Sequence, residues 1–156
     1  MNLLATLLPL PADNTMRGPK LPYAVFSVLA AVSTVRSGIH LLAPDGGAGS
    51  IAGMDLSVPG ADGIIFAFAL WGGSQLIYAL VQLAVAFRYR SLVPFFYLLL
   101  ILETLVRMLV GRMKPVHFAH TPPGAIGNQI ILPLAILMLG LCFLSPSAPA
   151  SKPPSS

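Results

Sequence analysis

Four side chains that could carry chemistry lie within two apolar stretches of this sequence. Glu103 and Arg107 are one helical turn apart in ILETLVRMLV, and Arg36 and His40 have the same spacing in SVLAAVSTVRSGIHLLA. A charged side chain at the centre of a membrane helix costs about 2.5–3.5 kcal/mol on insertion scales, so such residues either pair with one another or serve a function. We therefore expect the functional site at this group of residues.

Acid–base catalysis is one chemistry that these side chains could perform. Glu103 could carry a proton or act as a general base if burial favoured its protonated form, and His40 is the second catalytic candidate. Neighbouring arginines oppose that role because they stabilise the ionised form of Glu103. The sequence has no GxSxG, HExxH, phosphate-binding loop or dinucleotide-binding motif. The enzymatic alternative is therefore a membrane enzyme that acts on a lipid, quinone or isoprenoid.

Metal binding is a second chemistry, in the segment MKPVHFAHTPPGAIGN. His117 and His120 have a spacing at which two histidines on a helix can share a metal ion, but Pro115, Pro122 and Pro123 favour an irregular loop. We predict a solvated loop with His117 and His120 as weak metal candidates, and no cofactor.

Composition places these residues in a membrane protein. Of the 156 residues, 56% are hydrophobic and 9% are charged, and the mean hydropathy is +0.82. Soluble domains have about 25% charged residues. The net charge of +4 comes from Lys and Arg scattered at helix ends and within helices, so the expected partner is the lipid bilayer and not nucleic acid. The predicted fold is an all-α bundle of four transmembrane helices.

Four stretches have the length of about 20 residues that a bilayer requires. We predict helices at about 21–43, 62–87, 92–112 and 127–144, which form one transmembrane domain over 21–144. Residues 1–20 should form an N-terminal cytoplasmic or interfacial segment, and the Pro- and Ser-rich residues 145–156 a disordered tail. Asp62 is predicted to cap the second helix through its carboxylate.

Polar residues recur at helical spacing on one face of three of these helices. The faces are Ser33, Arg36, Ser37 and His40 on the first helix, Trp71, Gln75, Tyr78 and Gln82 on the second, and Phe96, Leu100, Glu103 and Arg107 on the third. Lipid cannot hydrogen-bond to these side chains, so the three faces should point into the bundle. The predicted interior polar cluster consists of Arg36, His40, Gln75, Tyr78, Glu103 and Arg107.

Depth along the helices predicts the pairing within this polar cluster. Glu103 lies near the middle of its helix, and Arg107 lies about 6 Å further along, at the depth expected for Arg36. We therefore expect Arg36 to contact Glu103 across helices. Two arginines then face one glutamate, and a loop aspartate, water, a lipid phosphate or an anionic ligand must offset the surplus charge. The alternative is a structural ion pair that fixes the register of the helices.

Lys and Arg outside the helices predict the orientation. Four helices place both termini on one side, together with Arg17, Lys20, Arg88, Arg90 and Lys152, while the other side carries Arg112 and Lys114. Short segments rich in Lys and Arg stay in the cytoplasm. Both termini should therefore be cytoplasmic.

Three short motifs connect this chain with a known family. They are GIHLLAP at the end of the first helix, Trp71-Gly72-Gly73 on the second, and LETLVRMLVGRM at the end of the third. In these motifs the sequence resembles an uncharacterised family of four-helix bacterial membrane proteins, a domain of unknown function, and more loosely the DoxX-like proteins. The resemblance implies the four-helix fold and a bacterial inner membrane, and it implies no reaction.

The sequence thus predicts a small multi-pass membrane protein without enzymatic activity. It would bind an anionic amphiphile or serve as an accessory subunit of a membrane assembly. The alternatives are a membrane-embedded enzyme that uses Glu103 and His40, and a small transporter. A closed, fully paired cluster favours the two non-enzymatic roles. A water-accessible cavity that reaches Glu103 favours the enzyme or the transporter.

Overall fold

Among the residues that the structure describes, 3–144, five α-helices and one short 3₁₀ helix make up the fold. In this computed structural model the elements are α1 (Leu3–Leu7), α2 (Lys20–Leu42), α3 (Ala61–Arg88), the 3₁₀ helix (Arg90–Leu92), α4 (Val93–Met113) and α5 (Pro123–Cys142). Within the same range, α2, α3, α5 and the stretch from the 3₁₀ helix through α4 are long and apolar enough to cross a membrane. No strand occurs in that range, so the predicted all-α, four-helix membrane fold is confirmed.

The predicted helix limits differ from the structure mainly at the start of the last helix. The limits of α2, α3 and α4 lie within one residue of the predicted ones. α5 begins at Pro123 and not at 127, because a proline in the first turn has its φ preset and needs no partner for an N–H. The N-terminal segment contains α1, and the tail at 145–156 lies outside the described residues.

The start of α3 is not capped by Asp62, so that prediction is wrong. Gly60 precedes the helix with φ +87°, and Asp62 lies in the first turn without a side-chain capping hydrogen bond. Glycine adopts this left-handed conformation without steric cost. Asp62 lies two positions after the N-cap residue Gly60, and its charge in the first turn still meets the positive end of the helix dipole.

The membrane helices pack as two pairs. α2 and α3 make the most extensive contact in the molecule, and α4 and α5 the next. α2 also contacts α4 and α5, whereas α3 and α4 make few contacts although only Tyr89 and the 3₁₀ helix separate them in the chain. The two pairs are therefore joined mainly through α2.

A single glycine allows α2 to approach α3 closely. A Cβ atom added at Gly72 would lie 2.7 Å from both the Cβ atom of His40 and the backbone nitrogen of Leu41. At Gly73 the nearest neighbour would be the Cδ1 atom of Leu41, at an ordinary 3.5 Å. Only Gly72 of the two is thus required by the helix packing, and it sets His40 against α3.

Aromatic side chains close the terminal end of the bundle, the end at which α2 begins and α5 ends. Phe26 packs edge-on against Phe96 and Tyr97, with ring centroids 5.9 and 5.7 Å apart. The Tyr97 hydroxyl donates a 2.6 Å hydrogen bond to the carbonyl of Pro22. All four residues are buried, and we refer to them as the apolar floor.

The chain before α2 is fastened to the same end. The Asp13 N–H donates to the Ser91 hydroxyl at 2.9 Å, and that hydroxyl donates to the Asp13 carbonyl at 2.8 Å. The Arg17 N–H donates to the Tyr23 hydroxyl at 2.9 Å. These hydrogen bonds hold the N-terminal segment against the turn between α3 and α4 and against α2.

Two connecting segments, residues 43–60 and 114–122, pack over the opposite end, and we call them the loop cap. The first segment lies against α3, where Gly46 is close to the Ile65 carbonyl and the Phe68 side chain. The second segment docks on the first through the Ala119 N–H, which donates to the Gly53 carbonyl at 2.9 Å. The end of the bundle opposite the apolar floor is therefore covered by chain.

Asp45 organises the turn of the first segment. Its carboxylate accepts the N–H groups of Gly47 at 2.8 Å and Ser50 at 2.6 Å, and the Ser50 hydroxyl at 3.1 Å. These hydrogen bonds, the one from the Ser50 backbone first, lower the pKa of Asp45 from 3.8 to about 2 because they stabilise the ionised carboxylate.

We expect the Asp45 turn to stabilise the protein in a pH-dependent way. The folded-state pKa lies below the unfolded one, so the contribution is fully present above pH 3.8 and is lost as the pH falls to about 2. Asp45→Asn should therefore melt below the wild type at neutral pH, and the difference should shrink across that interval. Melting curves of both proteins over a pH series measure it, and a difference that stays constant down to pH 2 would refute the assignment.

Candidate functional site

Arg36 lies inside the bundle without a carboxylate partner among residues 3–144. Its Nη2 atom donates to Gln75 Oε1 at 3.4 Å, and its guanidinium carbon lies 5.0 Å from the centroid of the Trp71 ring. The hydrogen bond is long, since N–H···O distances cluster at about 2.9–3.0 Å. A cation–π contact contributes about 0.5–2 kcal/mol. Both contacts are with neutral groups and leave the charge of Arg36 unneutralised.

The two ionised residues of α4 pair with each other. Arg107 Nη1 donates to Glu103 Oε1 at 2.9 Å, and Arg107 Nη2 donates to Thr104 Oγ1 at 3.2 Å. Thr104 is fully buried and donates its own hydroxyl to the Leu100 carbonyl at 2.7 Å. Glu103 therefore neutralises the arginine one turn away on its own helix.

The predicted contact between Arg36 and Glu103 is not formed, and that prediction is wrong. Within the described range, the salt bridge of Glu103 is with Arg107. A pair four residues apart on one helix meets whatever the packing of the helices, whereas a pair across helices needs both the right depth and the right rotation. Glu103 and Arg107 still act electrostatically on Arg36. The three residues thus form one unit with a surplus positive charge.

His40 has a structural partner. Its Nδ1–H donates to the Gly46 carbonyl at 2.8 Å, and its buried ring lies 5.0 Å from the Trp71 ring and 6.2 Å from the Phe68 ring. No hydrogen bond in the described part of the chain joins His40 to Glu103. The two catalytic candidates therefore have separate partners, and the contacts of His40 hold the loop cap against α2 and α3.

Tyr78 marks the limit of the polar cluster toward the apolar floor. Its ring stacks on Phe96 with centroids 6.1 Å apart and an interplanar angle of 15°. It also lies within electrostatic range of Glu103. Of the predicted cluster residues, Arg36, Gln75, Tyr78, Glu103 and Arg107 occupy one region, and His40 lies at its loop-cap end.

Three buried polar atoms of this interior have no hydrogen-bond partner among the described residues. They are Ser37 Oγ, Gln82 Oε1 and Arg107 Nε. A buried polar atom without a partner costs about 1–3 kcal/mol. In proteins such atoms usually bind water or a ligand. The interior therefore contains more hydrogen-bonding groups than the described residues can pair.

The polar cluster is open at one side. The side chains of Glu103 and Arg107 are 25% and 27% exposed, although both lie within a candidate membrane span. Their neighbours Leu102 and Val106 are apolar and exposed. The ion pair therefore lies next to a surface that is suited to lipid.

His117 and His120 lie in the loop cap and are exposed. The His120 Nε2–H donates to the Ile51 carbonyl at 3.2 Å. In residues 3–144, no group of three or more His, Cys, Asp or Glu side chains is placed to hold a metal ion. The visible role of His120 is to dock the second segment of the loop cap on the first.

Two features of the site escaped sequence reasoning. Thr104 binds Arg107, and the spacing of three residues on the helix would have indicated this contact. Gly46 binds His40, and no sequence signal shows that the chain after Pro44 folds back over the helix end. The first contact follows from helix geometry, and the second depends on the loop conformation.

Comparison with known protein families, with curated proteins and with solved structures finds no match to this chain. The resemblance to a bacterial membrane family therefore remains a prediction. The function has to be argued from the geometry of the polar cluster.

Proposed function

We propose that this protein binds an anionic amphiphile from the bilayer, with the anionic head on Arg36. One observation carries the proposal: Arg36 holds a positive charge within a candidate membrane helix, and its contacts are the neutral Gln75 and Trp71. Glu103 and Arg107 cancel each other, so one negative charge on a ligand makes the polar cluster neutral. A guanidinium suits this role because it binds carboxylate or phosphate oxygens in pairs.

A purely structural Arg36 is the main alternative. It would fix the register of α2 against α3 through Gln75. The cost of placing an arginine at the centre of a membrane helix is about 2.5–3.5 kcal/mol, whereas a typical hydrogen bond returns about 0.5–1.5 kcal/mol and a cation–π contact such as that with Trp71 about 0.5–2 kcal/mol. The 3.4 Å distance to Gln75 places this bond at the weak end. The balance favours an arginine retained for a ligand.

An accessory-subunit role is the second candidate, and the exposure of the ion pair favours it. A helix of another membrane protein could cover Glu103 and Arg107, which are 25% and 27% exposed. A partner that also brought a carboxylate to Arg36 would leave no need for an amphiphile. Copurification of a stoichiometric membrane protein, with no amphiphile bound, would favour this role.

The enzyme and transporter hypotheses have less support. The Glu103 carboxylate accepts a hydrogen bond from Arg107 on its own helix, and no hydrogen bond among the described residues links it to His40. His40 is oriented by the Gly46 carbonyl and not by a substrate group. Glu103 and His40 are therefore not arranged as a general acid–base pair.

The proposed location is the inner membrane of a bacterium, with both termini in the cytoplasm. Among the described residues, the terminal end carries Arg17, Lys20, Arg88 and Arg90, and the loop end carries Arg112 and Lys114. This bias supports the orientation. Arg36 would then lie in the outer half of the bilayer.

Fatty acid binding to the purified protein tests the proposal. Trp71 is the sole tryptophan of the sequence and contacts Arg36, so its fluorescence reports the site directly. We expect Arg36→Gln to weaken binding by about tenfold or more, because a hydrogen bond to a charged group contributes about 1.5–3 kcal/mol. Arg36→Lys keeps the charge without the paired donors and should bind with intermediate affinity.

Arg112→Gln is the matched control, because Arg112 is exposed at the end of α4. It should bind as the wild type does. Equal affinities of wild type and Arg36→Gln would contradict the proposed function.

A further inference from the structure

We infer that the ligand is a single-chain amphiphile with a carboxylate head, and that it reaches Arg36 sideways from the bilayer, between α3 and α4. This inference rests on the proposed function and adds the route and the ligand class. It follows from which sides of the polar cluster the described residues close and which they leave open.

The loop cap closes the side nearest to water. The Nδ1–H of His40 donates to the Gly46 carbonyl at 2.8 Å, and the His40 ring lies 5.0 Å from the Trp71 ring. Gly46, Gly47 and Ala48 are buried beneath the outer turns of the loop cap. A water-soluble anion would have to displace this packed segment to reach Arg36.

The apolar floor closes the opposite side. Tyr78 stacks on Phe96 at 6.1 Å, and Phe96 packs on Phe26 at 5.9 Å. No ionised group among the described residues lies within this layer to guide an anion. An anion therefore has no favourable path from the terminal end.

The side between α3 and α4 is the open one. The two helices make few contacts, and the side chains of the α4 ion pair are about a quarter exposed. Leu102 and Val106 flank it with apolar surface, 49% and 58% exposed. A head group that passes inward to Arg36 would leave its hydrocarbon chain against these residues and the lipid.

The chemistry of the polar cluster favours a carboxylate. The surplus charge is a single one, and a fatty acid carries one negative charge. Its two oxygens match the guanidinium donors, and it has no further polar group that would need a buried partner. A glycerophospholipid head brings ester and glycerol oxygens as well, for which the unpartnered buried side-chain donors among the described residues are the Ser37 hydroxyl and the Arg107 Nε–H.

Quenching of Trp71 by brominated lipids in nanodiscs of zwitterionic phospholipid tests the route and the class. A long-chain fatty acid brominated on its chain should quench Trp71 saturably, and Arg36→Gln should remove the saturable part or weaken it about tenfold or more. The unbrominated acid should relieve the quenching, whereas acetate in large excess should not. Brominated phosphatidylglycerol should quench wild type and Arg36→Gln alike, and Arg112→Gln should match the wild type throughout.

The outcomes separate this inference from the proposed function. Relief by acetate would show entry from water and would overturn the lateral route, while the anion site at Arg36 would stand. Arg36-dependent quenching by brominated phosphatidylglycerol, equal to that by the fatty acid, would overturn the carboxylate class. Absence of any Arg36-dependent effect with fatty acid, phosphatidylglycerol and acetate would overturn the proposed function itself.

Discussion

Gly72→Ala should lower the free energy of unfolding by about 2–3 kcal/mol, the upper part of the range for overpacked sites. The added methyl group would lie 2.7 Å from the Leu41 backbone nitrogen and 2.8 Å from the His40 carbonyl carbon. Backbone atoms cannot rotate away as a flexible side chain does, so α2 and α3 must separate. Atoms of His40 are among those displaced, and His40 is hydrogen-bonded to Gly46 of the loop cap. The loop cap should therefore loosen as well.

Gly73→Ala is the matched control. The nearest atom to its added methyl group is the end of the Leu41 side chain, at 3.5 Å. Alanine also forms helix better than glycine by about 0.5–1 kcal/mol, so this variant should be as stable as the wild type or more stable. Thermal unfolding of the two variants in the same detergent compares them. Equal effects of Gly72→Ala and Gly73→Ala would contradict the close approach at Gly72.

Glu103→Gln should destabilise the protein by about 2–3 kcal/mol. Arg107 would lose the carboxylate that lies 2.9 Å from its Nη1 atom, and two arginine charges would face each other without an anion. Breaking a buried ion pair from one side costs about 3–5 kcal/mol, and we reduce this figure because both side chains are partly exposed. A fatty acid should restore part of the lost stability, since it supplies the missing negative charge.

A double-mutant cycle separates the ion pair from other effects of the substitution. Glu103→Gln combined with Arg107→Gln removes both charges and should be more stable than Glu103→Gln alone, since one arginine is no longer unpaired. Unfolding free energies of the four proteins give the coupling. Additive effects of the two substitutions would show that the ion pair contributes nothing.

The number of helices, the limits of α2, α3 and α4, and the inward faces follow from the sequence because they depend on local properties. Twenty apolar residues must be helical in lipid, and a polar stripe at helical spacing must avoid lipid. These grounds predict Arg36, Gln75 and Tyr78 in the interior, and the structure brings them together with Glu103 and Arg107.

Pairing and packing depend on helix rotation, which the sequence does not encode locally. Glu103 pairs with Arg107 and not with Arg36 because two residues four apart on one helix meet whatever the packing of the helices. Gly72 and Gly73 are both glycines and are adjacent in the chain, but they lie about 100° apart around α3. Only one of them can therefore face α2. The hydrogen bonds of Asp45 and His40 depend on a loop conformation, for which the spacing of polar residues gives no rule.

The central claim of the proposed function is that Arg36 binds a ligand and does not stabilise the fold. The two roles predict opposite signs for the stability of ligand-free Arg36→Gln. Removal of an unneutralised charge from a membrane helix is favourable, whereas removal of a structural contact is not.

Melting temperatures of wild type and Arg36→Gln, each with and without fatty acid in the same nanodiscs, give the most direct test. Without ligand, Arg36→Gln should melt at the same temperature as the wild type or above it. Fatty acid at about 100 times its Kd should stabilise the wild type by about 2.7 kcal/mol and leave Arg36→Gln nearly unchanged. The opposite result would show that Arg36 is structural: ligand-free Arg36→Gln would melt below the wild type, and fatty acid would stabilise the variant as much as it stabilises the wild type.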